Sequence, residues 1–142
     1  MKESIYQTIL VTLEGTPTDQ AIVEHIKPLA RVLHSRVVLL HVATGVPAQY
    51  HRQDADGKEI QESRAYLGRI QAEFAAAGVP AEMELAYGDP AKQIVKWVQE
   101  KGCDLVAMST HGHQFVADLV LGATAHKVQH SISVPVLLLR AM

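Results

Sequence analysis

Five short runs of apolar and β-branched residues, separated by longer stretches of helical pattern, constrain this chain more than any other feature. They fall at residues 5–13 (IYQTILVTL), 36–43 (RVVLLHVA), 81–86 (AEMELA), 103–109 (CDLVAMS) and 134–140 (VPVLLLR). Each has the length and composition of a strand, and turn residues such as Glu14-Gly15 and Gly88-Asp89 close them off. When a helix follows every strand, each connection crosses over and the next strand returns parallel to the last. The pattern therefore predicts a single doubly wound α/β domain over residues 1–142: a five-stranded parallel sheet, right-handed crossovers and helices on both faces. The expected strand order is 3-2-1-4-5.

The helices carry their own punctuation. Thr16 is expected to cap the first, Pro17 to occupy its first position, and Asp19 to complement its dipole. Ile22, Ile26, Leu29 and Leu33 then recur at helical spacing, while Pro28 predicts a kink or an early end. Residues 44–57 read as a loop. The second helix is expected from near Lys58, with Ile60, Leu67, Ile70 and Phe74 facing inward and Gly78 as its left-handed cap. In the third strand Met83 and Leu85 alternate with Glu82 and Glu84, the mark of an edge strand with one wet face. Asp89 and Pro90 open the third helix, Ile94, Val95 and Val98 line its inner face, and Gly102 ends it. A last helix is expected over residues 120–130.

Charge and cysteine content narrow the class of partner. Thirteen Lys and Arg against fifteen Asp and Glu leave 13 − 15 = −2, too little positive charge for nucleic acid. The lone Cys103 and the lack of an apolar leader in the first twenty residues point to the cytoplasm. No apolar run approaches the roughly 20 residues needed to span a bilayer, so no direct membrane partner is expected.

In open parallel sheets ligands collect where neighbouring crossovers diverge, outside the carboxyl ends of the strands. Three loops meet that description: Leu13-Glu14-Gly15, the segment after Val42, and residues 109–124 (STHGHQFVADLVLGAT). The third holds Gly112 and Gly122 ten positions apart, the later one expected to open a helix whose free amides can take up phosphate oxygens. On physical grounds alone this is an anion site of modest specificity.

The same residues resemble the universal stress protein family. The resemblance rests on Thr-His-Gly after an apolar strand, then nine residues, a Gly, and a final Val-Pro-Val-Leu-Leu-Leu strand, together with His41-Val42 and Gly88-Asp89-Pro90. It covers essentially the whole chain. It implies an adenine-nucleotide alpha-hydrolase-like fold and a dimeric stress-response regulatory module that takes ATP, with Mg²⁺ or Mn²⁺, at the carboxyl ends of the strands. The nucleotide-binding motif Gly-x-x-Gly, nine residues, Gly, Ser or Thr maps here onto Ser109, Gly112, Gly122 and Ala123, so two of its four positions differ. Glu14 stands for the family's Asp; Thr12, Leu13, Val42 and Met108 map to the adenine contacts. A Cβ at Ser109 is expected to restrict both dihedrals and close approach. Ala123 lacks a phosphate-binding hydroxyl, Thr124 carries one a single position later, and His113 is the titratable donor of the loop. The resemblance also implies a homodimer through strand five, Val134 to Arg140, where the uncharged run Val136 to Leu139 at the sheet edge is a template for pairing.

Two functions follow: a nucleotide-binding regulatory module acting on an unidentified protein partner, or an interaction protein of the same fold that has lost nucleotide binding. No Gly-x-x-x-x-Gly-Lys, Gly-x-Gly-x-x-Gly or Gly-x-Ser-x-Gly motif is present, so it is not expected to be an enzyme beyond slow incidental ATP hydrolysis. His111-x-His113, without a neighbouring Cys or carboxylate, falls short of a metal site. His25, His34, His51, His126 and His130 are expected on solvated faces or in loops, His41 at the sheet end, and Cys103 and Trp97 as packing residues.

Overall fold

The computed structural model describes residues 5–43, 55–111 and 117–141, and no side chains at 55, 56, 110, 111, 117–123 or 141. In chain order the elements are β1 (Thr8–Leu13), α1 (Asp19–Leu33), β2 (Arg36–Ala43), α2 (Ala55–Ala76), β3 (Ala81–Tyr87), α3 (Pro90–Lys101), β4 (Leu105–His111), α4 (Ala117–Ser131) and β5 (Val136–Ala141). The strands form one sheet in the order β3-β2-β1-β4-β5, and every pair is parallel. The expected strand order is the one observed.

Alternation along the strands divides the core in two. Ile9, Val11 and Leu13 of β1 and Val37 and Leu39 of β2 meet Ile22, Val23 and Ile26 of α1 and Leu67, Ile70 and Phe74 of α2. Leu10, Val38, Leu40, Val106 and Met108 point the other way, toward Ile94 and Val98 of α3 and Val128 of α4. The helices that follow β1 and β2 thus cover one face, and those that follow β3 and β4 the other. Each fully buried aliphatic or aromatic side chain contributes about 1.5–3 kcal/mol. The sheet is consequently clamped from both sides, and its upper rim is where the two helical layers part.

Several boundaries differ from expectation. The first strand begins at Thr8, and Asp19, not Pro17, is the first residue of α1, with Thr18 at the N-cap; Thr16 and Pro17 instead accept turn hydrogen bonds from Asp19 and Gln20. Helix α1 runs through Pro28 to Leu33 and closes on His34 in the left-handed region, at φ 58°. Helix α2 starts at Ala55 and β4 at Leu105. Asp89 caps α3 through the Lys92 amide at 3.0 Å, and Gly102 ends it at φ 63°, both as anticipated. The wet face of β3 is bridged: Glu82 and Glu84 pair with Lys101 of α3 at 2.9 and 3.2 Å. Cys103 is buried, which pushes its thiol up to about 11, and Trp97 packs against the second core cluster.

Candidate functional site

Where β1 and β4 lie side by side, their crossovers leave on opposite faces, and a cavity of about 630 Å³ opens over the carboxyl ends of the strands. That volume falls within the usual range for small-molecule sites. Strand ends form its floor: Thr12 and Leu13 from β1, Leu40 to Ala43 from β2, Met108 and Ser109 from β4, and Leu138 from β5. Pro90 and Ile94 of α3 and Thr124 and Ala125 of α4 wall one side, and Glu59, Glu62, Ser63 and Tyr66 of α2 wall the other.

A buried carboxylate organises the rim. Asp19, 1% exposed, accepts from the Glu14 amide at 2.9 and 3.0 Å, from the Gly15 amide at 2.8 Å, and from the Tyr66 hydroxyl at 2.5 Å. The loop after β1 is thereby folded back onto α1, and α2 is tied to both. Gly15 has φ 84°, a conformation that favours a residue without a Cβ, and the His41 ring lies 3.4 Å from where one would stand. His41 Nδ1 is 2.9 Å from the Leu13 carbonyl, so that nitrogen carries the proton. His41 is therefore a satisfied residue at the sheet end, as its position in the second strand suggested.

Burial, followed by the hydrogen bond to Asp19 and the charge of that carboxylate, holds the Tyr66 hydroxyl far above the usual phenol range. The fold favours the neutral phenol. Its contribution is fully present below the unfolded value of about 10 and is lost as pH rises through the raised folded value. An alkaline denaturation series should therefore show wild type losing stability above about pH 10 more steeply than Tyr66→Phe. Parallel curves would mean that the Asp19–Tyr66 bond contributes nothing.

The profile of the universal stress protein family matches residues 5–140. This chain belongs to that family. Among curated universal stress proteins it is 26% identical to YxiE of Bacillus subtilis, over 96% of this chain and 100% of that one. It is 24% identical to MJ0531 of Methanocaldococcus jannaschii, over 97% and 84%. The fold is shared with the solved structure of the protein MJ0577, at a TM-score of 0.81 and 23% identity over 96% of this chain and 97% of that one. It is shared as well with a universal stress protein in complex with cAMP, at 0.74 and 20% over 98% and 100%. An Archaeoglobus fulgidus universal stress protein in complex with dAMP aligns at 0.69 and 19% over 94% and 98%.

In this universal stress protein, seven of the residues singled out from sequence line the cavity: Thr12, Leu13, Glu14, Val42, Met108, Ser109 and Thr124. Gly112 and His113 lie outside the described residues. Gly122 and Ala123 are in α4, but Gly122 does not open it: the helix begins at Ala117, so the four free amides belong to residues 117–120. The dihedral restriction expected of Ser109 does not arise either. Ser109 sits in regular strand paired with Leu139, and among the described residues His34 is the non-glycine with positive φ. Its Oγ is buried without a hydrogen-bond partner among the described residues.

Sequence reasoning missed Asp19 as an anchor, and with it the α2 wall. The available signal was an acidic residue five positions after Glu14 at the start of a helix, a spacing that lets a carboxylate reach back to the loop amides. Among the described residues no group of three or more His, Cys, Asp or Glu is arranged to hold a metal ion. No helix among them is long and apolar enough to cross a membrane.

Proposed function

We propose that this chain, as one module over residues 1–142, binds an adenine nucleotide in the cavity at the carboxyl ends of β1, β2 and β4, and acts as a regulatory protein rather than by turnover. The observation that carries the reading is the cavity itself, at the switch between β1 and β4 with Thr12, Leu13, Val42 and Met108 at its floor. Relatives of the same fold that are in complex with cAMP and dAMP support the choice of an adenine ligand. ATP with Mg²⁺ or Mn²⁺ belongs to this ligand class. Against turnover, the described lining offers no Lys or Arg to clamp a transferring phosphoryl group.

Calorimetric titration with cyclic AMP and with ATP plus Mg²⁺ tests the proposal, and a saturable heat is expected below millimolar concentration. Restoring the family motif with Ser109→Gly and Ala123→Ser should tighten binding about tenfold, through closer approach and one added donor. The second reading, an interaction protein without nucleotide binding, is favoured by those same two departures. It takes over if wild type gives neither heat nor thermal shift with either ligand.

The reading includes a homodimer through β5. That strand is at the sheet edge, Leu137 and Leu139 pack inward, and Leu138 is 41% exposed. Leu138→Lys is expected to move sedimentation toward monomer with the far-ultraviolet dichroism unchanged. Wild type sedimenting as a monomer at micromolar concentration would remove β5 as the interface.

A further inference from the structure

Over two turns the face that α2 turns to the cavity is polar and acidic: Glu59, Glu62, Ser63 and Tyr66 stand at i, i+3, i+4 and i+7. From the next residue onward the same helix sends Leu67, Ile70 and Phe74 into the core. The change of character coincides with the point where the helix leaves the core and begins to wall the cavity. Two like charges on adjacent turns weaken a helix slightly. Neither glutamate is in an ion pair among the described residues. Glu14 adds a third carboxylate to the lining, His41 is its titratable nitrogen group, and no Lys or Arg is among the described lining residues. Glu14, Glu59 and Glu62 are solvent-exposed, so the negative field they set up at the cavity acts at short range and is screened by salt. The Ser109 Oγ in the cavity floor, buried and without a hydrogen-bond partner among the described residues, is a neutral group.

Resting on the reading of the cavity as an adenine site, we propose that the α2 face makes it selective for adenine ligands of low negative charge. A nucleoside or a cyclic monophosphate is accepted, whereas the free triphosphate is disfavoured unless a divalent cation masks its charge. Glu59 and Glu62 act by repulsion: they set which member of the ligand class enters.

Titrating the full chain with adenosine, cyclic AMP, ATP in the presence of a chelator, and ATP with Mg²⁺ gives the test, at low and at high salt. Adenosine or cyclic AMP is expected to bind about tenfold or more tightly than metal-free ATP, with the gap narrowing at high salt. In Glu59→Gln/Glu62→Gln, which keeps shape and acceptors but removes charge, the ratio of adenosine to metal-free ATP affinity should fall about tenfold. If metal-free ATP binds wild type as tightly as adenosine and the double variant leaves the ratio unchanged, the selectivity is refuted while the adenine site stands. If none of the four ligands binds, the adenine site fails and the selectivity with it.

Discussion

Replacing Asp19 by Ala is expected to be the most damaging single polar substitution in the chain, lowering the unfolding free energy by about 3–4 kcal/mol. The carboxylate is almost wholly buried and accepts from two backbone amides and one phenol. Alanine leaves the Tyr66 hydroxyl without its partner and releases the Glu14 and Gly15 amides. Those amides are near solvent and regain water, which is why the loss stays below the sum of three buried bonds. Thermal melting should fall by about 10 °C. Asp19→Asn, which keeps an acceptor in the same place, is expected to recover about half of that loss. A melting point for Asp19→Ala within two or three degrees of wild type, a shift of less than about 1 kcal/mol, would show that the loop after β1 holds its shape without the carboxylate.

Thr12→Trp should have the largest effect on binding. Thr12 lies on the central strand between β2 and β4, at the cavity floor on the same sheet face as Val42 and Met108. An indole there stands up from the sheet into the space a base would occupy. Adenine-ligand affinity is expected to drop by about 100-fold or more. Thr and Trp are both good strand formers and the site is not fully buried, so stability should change by less than about 1.5 kcal/mol. Calorimetry and a thermal melt on one preparation separate the two effects. Undiminished affinity in a folded Thr12→Trp protein would place the ligand somewhere other than this cavity.

The sheet was legible because its signals are local. RVVLLHVA, built around the apolar run Val37 to Leu40, became β2 with the expected bounds, and Asp89-Pro90 and Gly102 frame α3 by backbone chemistry that neighbouring residues specify alone. The start of α1 was misplaced because Thr16-Pro17 carries the same local signature as a true N-terminus. What moved the helix to Asp19 is a carboxylate folding the loop back on itself and meeting Tyr66, 47 residues away. Polar residues on a helix ordinarily mark its solvent face, so Glu59, Glu62 and Ser63 gave no hint that they border a cavity. That cavity exists only once two crossovers leave the sheet in opposite directions. Ser109 shows the converse: a rule about glycine carried over from a motif overstated the constraint, because the strand there is extended and tolerates any residue.

Leu138 stands in two places at once, in the cavity floor and on the open edge of β5. A strand arriving along that edge and a ligand settling in the cavity would both touch the same side chain. If the proposed dimer and the proposed ligand both press on it, their binding equilibria are linked, and the linkage is reciprocal: whatever factor strand pairing applies to ligand affinity, the ligand applies to pairing. In such an arrangement the ligand affinity varies with the protein's own concentration, and a change in self-association reports cavity occupancy without any moving part between the two.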